Sequence, residues 1–319
     1  NIIFLIESIL FIIYLLTFFG IFYLSYENIE KSILTVYLVS PLFLGFIFTN
    51  KDASFRKEML CITTVTLLLI YSKSKNMLIY FATFLFYTLS IFSSEYGLML
   101  FIPVCYLFFN NKNNFNIKDV VFSATPPILY LILHFLNSKF YESRALLICE
   151  NVKNLNPFNF SNYICEGQIY WIGLTLKETI NTTINYYNFD YIFYYIIAFL
   201  IGFVPLFFSG WLKNNYKFIL MQIPLVLIFF ILATDWGRTL HLFFSLNYLI
   251  AIRELDKSNE LKKILTVLVI IVLLLIQVDY WNPQDLNHFS LETLTPYRNG
   301  ILNFKDNFLF ILNEILDLI

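Results

Sequence analysis

Charge is scarce in this chain. Asp, Glu, Lys and Arg supply 13% of its 319 residues, about half the share of an ordinary water-soluble domain. The two signs nearly balance, at a net charge of −1, so there is no basic face of the kind that binds nucleic acid, and no nucleic-acid partner is expected. Glycine is sparse too: the chain has 9, and no two are spaced as GxxxG, which removes one familiar helix-pairing motif. HExxH, CxxC and an Asp-rich calcium loop are all missing, so no metal site is expected. Neither a Walker A sequence nor GxGxxG occurs, which argues against nucleotide-driven coupling within this chain and leaves no cofactor to expect. GxSxG is absent as well, arguing against a serine hydrolase of that type.

Apolar residues fill the space that charge leaves. Hydrophobic residues make up 59% of the chain, and the mean hydropathy is +0.70. They come in long runs rather than in the alternation of barrel strands. Backbone polar groups must be satisfied within lipid, so long apolar runs read as helices. The runs fall at 2–25, 33–49, 59–71, 77–92, 97–109, 119–136, 191–209, 217–234, 238–252 and 264–279. With about 20 residues per span, they predict an all-α, polytopic integral membrane bundle of about ten helices, between roughly eight and eleven. The three runs between 59 and 109 are short for spans and could be half-helices. The expected layout is a transmembrane domain over 1–279 with a large external loop at 137–190, then an external or interfacial tail at 280–319. Membrane lipid is the expected partner, and most of the 37 Phe and 22 Tyr are expected to face lipid or core. The chain opens at Asn1 inside an apolar run, so a start further upstream is expected.

Orientation follows from Lys and Arg in the short loops. Lys73 and Lys75, Lys112 and Lys118, Lys213 and Lys217, and Arg253 to Lys263 recur every second loop. All four groups are assigned to the cytoplasm. Lys51, Arg56 and Lys57 break the pattern on the opposite face. The external loop holds Cys149 and Cys165, which are read as a disulfide pair. Cys61 and Cys105 fall in apolar runs and are read as buried small hydrophobes.

Polar residues beside spans are costly and tend to face a cavity or a partner. Ala233-Thr-Asp-Trp-Gly-Arg-Thr-Leu-His241 sets Asp235, Arg238 and His241 within one arc of a helix. It is either a capped span with a local Asp–Arg pair or an anion site, in which Arg238 grips a phosphate and Asp235 or His241 moves a proton. Ser93-Ser-Glu-Tyr-Gly97 carries Glu95, either a first-turn carboxylate or a general base. Ser54-Phe-Arg-Lys-Glu58 is either a solvated loop with an Arg/Lys–Glu pair or a cationic cradle built on Arg56 and Lys57. His134, near the end of its run, is either a packing residue or a substrate contact.

Taken together, FRKEML at a span start, SSEYGLMLFIPV, and ATDWGRTLHLF resemble the EpsG-like and Wzy-like exopolysaccharide or O-antigen polymerases of bacteria. The resemblance runs over about residues 50–252 by motif order, and Asp-Trp-Gly-Arg is its most specific element. Ser94 stands where the family pattern has His. The resemblance implies a multi-pass protein of the bacterial inner membrane that acts as a polysaccharide-polymerase type of glycosyltransferase. Its implied substrate is a polyprenyl-pyrophosphate-linked sugar on the external face. Arg56, Lys57 and Arg238 would hold the pyrophosphate, and Glu95 or Asp235 would deprotonate the acceptor. Two other classes stay open: a lipid-linked-sugar flippase or transporter, and a non-catalytic partner of polysaccharide-assembly proteins.

Overall fold

The structure is a computed structural model. It describes residues 2–25, 58–109, 116–137, 147–151, 176–186, 210–232 and 236–254, with short helical pieces within 192–207. Every described element is helical: α1 Ile2–Ser25, α2 Met59–Ser74, α3 Met77–Ser93, a 3-10 helix Glu95–Leu100, α4 Phe101–Phe109, α5 Ile117–Asn137, α6 Leu176–Tyr186, α7 Trp211–Leu232 and α8 Trp236–Glu254. No strand occurs among the described residues. The chain is all-α there, as the apolar runs predict. The runs at 33–49 and 264–279 and the tail at 280–319 lie outside the described residues. The loop expected over 137–190 contains the amphipathic α6, which packs on α7.

Two helices form the centre. α2 is buried along almost its whole length, from Met59 to Leu69, and α8 is buried from Leu242 to Ile252. α2 contacts α1, α3, α4 and α8. Its three threonines fit this position because each hydroxyl first donates to its own helix. Thr63 bonds to the Met59 carbonyl at 2.7 Å, Thr64 to Leu60 at 2.7 Å and Thr66 to Ile62 at 2.9 Å. Hydroxyls satisfied in this way also reach across: Thr63 meets Thr17 at 2.6 Å and Thr64 meets Ser90 at 3.3 Å. Such bonds hold helices together where apolar burial does not discriminate between neighbours.

Side-chain pairings give the helix directions. Thr17 pairs with Thr63, and Lys73 lies over the Tyr23 ring, so α1 and α2 run in parallel. On α3 and α5, Tyr80 donates to the Lys118 carbonyl at 3.3 Å, Tyr87 to Ser123 at 3.1 Å, and Phe92 packs on Tyr130; these helices are also parallel. α7 and α8 are antiparallel, with Gln222 and Asn247 bonded side chain to side chain at 3.0 Å midway along both. The 192–207 pieces run parallel to α8, through Tyr195 on Trp236, Phe199 on Phe243 and Tyr248 donating to the Gly202 carbonyl. The bundle therefore has two ends, named here for Lys75 and Glu95.

Large apolar side chains also cover the outside. Leu16, Phe19, Leu78, Phe81, Leu85, Ile128, Ile132, Leu220, Leu227 and Ile231 are all exposed. Their spacing follows one face each of α1, α3, α5 and α7. Among the described residues, Trp211–Leu232 is long and apolar enough to cross a membrane, while Met59–Ser74, Met77–Ser93 and Glu95–Phe109 are shorter apolar helices.

Candidate functional site

The Glu95 end holds the Ser94–Gly97 turn and the start of α8. α3 stops at Ser93. Ser94 turns into extended conformation (φ −157°, ψ 138°) and its side chain caps the 3-10 helix by accepting from the Tyr96 N–H. Glu95 opens that helix as a first-turn carboxylate and is exposed, a position that the positive end of the backbone dipoles favours. Gly97 packs so closely on the end of α3 that an added Cβ would lie 2.5 Å from Ile91 Cα and closer still to the Ser90 carbonyl. No side chain fits there, and this contact sets where Glu95 emerges.

Aromatic contacts link the Glu95 turn to the start of α8. Buried Tyr96 stacks on Phe229 of α7 at 5.2 Å. The next residue, Phe230, stacks on Trp236 at 5.0 Å, and the Trp236 indole N–H donates to the Phe230 carbonyl at 2.7 Å. Tyr195 closes the row edge-on to Trp236 at 5.5 Å. Glu95 and Trp236, 141 positions apart in sequence, are thus held at one end by ring contacts to two consecutive residues of α7, Phe229 and Phe230.

His241 lies further along α8, partly buried and with its Nε2 shielded from solvent. Arg238 and His134 are helical at the backbone, in α8 and α5, and Arg238 falls within the first turn of α8 at this end. Arg56, Lys57 and Asp235 lie outside the described residues. Cys149 is disulfide-bonded; Cys165, its expected partner, lies outside the described residues. Cys61 and Cys105 are thiols outside any disulfide, Cys61 buried and Cys105 partly so. Among the described residues there is no group of His, Cys, Asp and Glu suited to a metal ion.

Glu58 departs from its reading as part of a solvated loop. It is 3% exposed, in helical conformation one residue ahead of α2, with Cys61 N–H donating to its carbonyl at 3.0 Å. It is a buried carboxylate at this end, on the helix that packs against both the Glu95 turn and α8, a placement that loop composition hides. The signal was its place directly before an unbroken apolar and threonine stretch. Tyr96 is the other residue that sequence reasoning missed, and its neighbour Gly97 marks the tight turn. Comparison with protein families, curated proteins and solved structures returns no match.

Proposed function

We propose that this chain is a multi-pass protein of the bacterial inner membrane whose Glu95 end faces away from the cytosol and handles a polyprenyl-pyrophosphate-linked glycan. The observation that carries the reading is the pair of ring contacts, through Phe229 and Phe230 of α7, that brings the Glu95 turn and the first turn of α8 to one end of the bundle. Three features support the membrane part. Consecutive described helices alternate in direction wherever they are directly linked. Their outward faces are apolar over more than one helix, far beyond the patches of a water-soluble monomer. Lys73, Lys75, Lys118, Lys213, Lys217 and Arg253 collect at the Lys75 end, as the bias of cytoplasmic loops requires. The parallel pair α1 and α2 also needs one return between them, which the apolar run at 33–49 would supply as part of a bundle of about ten spans.

In this reading Arg238, with Arg56 and Lys57, neutralises the pyrophosphate. Glu95 or Asp235 takes the proton from an acceptor hydroxyl, with His134 and His241 as further polar contacts. The acceptor oxygen bonds to the anomeric carbon as the bond from that carbon to the pyrophosphate oxygen breaks, and the lipid pyrophosphate leaves. Because the leaving group is already good, positioning and charge neutralisation carry the reaction. A transporter would need polar groups open near mid-depth. Gln222 and Asn247, the strongest such pair, are buried and bonded to each other. Arg238→Ala is expected to abolish long-chain surface polymer in cells while the protein stays in the membrane. Unchanged polymer removes the reading.

A further inference from the structure

We infer that α5 carries a binding site for an anionic phospholipid, with the headgroup at Lys118 and one acyl chain along the helix. The inference rests on the membrane reading and concerns the opposite end from the glycan chemistry. A shallow apolar groove, open to the outside rather than enclosed, follows one face of α5 along Val120, Val121, Thr125, Ile128, Leu129 and Ile132. It is lined by α5 residues alone among those described.

Lys118 falls on the same helical stripe as Val121, Thr125, Ile128 and Ile132, at offsets of three, seven, ten and fourteen residues. It is exposed, two residues before Val120, the first residue of the groove. Its neighbour Asp119 is buried and turned toward the interior, so it does not cancel the charge at the groove mouth. The Lys118 carbonyl accepts from the Tyr80 hydroxyl, and Tyr80 packs on Tyr71 at 5.1 Å. Lys75 lies over that Tyr71 ring, 5.6 Å from its centroid. The Lys118 backbone and the Lys75 ammonium are thereby tied to one aromatic cluster, and the Lys118 side chain is exposed beside the groove.

Around them stand the two most exposed large hydrophobic side chains of the described residues, Leu78 at 78% and Ile117 at 77%. An exposed lysine bordered by exposed apolar side chains and continued by an apolar groove matches an amphiphile, phosphate above and hydrocarbon below. An acidic protein partner would use the lysines and leave the groove empty. A zwitterionic lipid would fill the groove without a preference set by Lys118.

The test uses the full chain with a photo-reactive benzophenone residue at Ile128, reconstituted into vesicles of equal phosphatidylcholine and phosphatidylglycerol. After flotation and irradiation, mass spectrometry identifies what is attached. Phosphatidylglycerol adducts are expected to exceed phosphatidylcholine adducts about fivefold, the factor for one lysine at an anionic surface. Lys118→Gln should erase that preference, and Lys217→Gln on α7 should leave it intact. Equal adducts of the two lipids, a preference unmoved by Lys118→Gln, or cross-links to a second copy or another part of this chain would overturn the lipid site while the membrane reading stands. Protein that fails to float with the vesicles overturns both.

Discussion

The two ends of the bundle are built by different means. At the Lys75 end, lysines lie over tyrosine rings and project into solvent: Lys73 over Tyr23 and Lys75 over Tyr71. The link between α2 and α3 is reduced to a tight turn there. Lys75 takes left-handed conformation (φ 55°, ψ 20°), returns its N–H to the Tyr71 carbonyl at 2.8 Å, and hands over to Asn76, whose side chain caps α3. The Glu95 end carries two carboxylates, Glu58 buried and Glu95 exposed, and packing is close enough to exclude a Cβ at Gly97. One end is a surface and the other is a packed junction. Long side chains that reach outward suit a boundary with water and headgroups. Rings locked to one another suit a place where distant residues must be held in register.

That contrast breaks most severely at Gly97. Gly97→Ala puts a methyl against backbone atoms of Ser90 and Ile91, which cannot swing aside as a side-chain tip would. The expected loss is about 3 kcal/mol of stability, at the upper end for overpacking, read as a lowered unfolding midpoint in detergent. A change within a few tenths of wild type would mean that the Glu95 turn is loosely held. A smaller effect is expected from Trp236→Phe, which keeps a ring for Phe230 but removes the indole donor to its carbonyl. Loss of that bond should cost about 1 kcal/mol, with Lys75-end contacts unaffected. The smallest effect is expected from Lys75→Gly and has the opposite sign. It relieves the left-handed conformation of a non-glycine residue and should stabilise by about 0.5–1 kcal/mol. Stabilisation at one end and destabilisation at the other, from changes of similar size, would sharpen the comparison.

Much of the fold was legible in the sequence because hydropathy reports helices directly. The runs at 2–25, 77–92 and 217–234 match α1, α3 and α7 to within a few residues at most ends. The run at 97–109 was less legible. Its first residues form a 3-10 turn, because Gly97 must press on α3, a constraint that comes from a neighbouring helix and leaves no trace in hydropathy. Hydropathy does not show what the threonines in α2 do: each bonds the carbonyl four residues back, and two continue to a neighbouring helix. For the site, the sequence supplied Glu95 and the Trp-Gly-Arg turn as separate elements. That they share an end depends on Tyr96 and Phe229, whose pairing no spacing encodes. Glu58 was concealed by basic neighbours that made it look like loop.

The central claim is that these two ends lie on opposite sides of a bilayer. Single cysteines placed by Lys75→Cys and Glu95→Cys, both at exposed positions, test it in intact cells with the outer membrane permeabilised and a membrane-impermeant maleimide. The account predicts labelling at 95 and protection at 75 until the inner membrane is opened by detergent. Equal labelling of both positions before detergent, or protection of both, would contradict it.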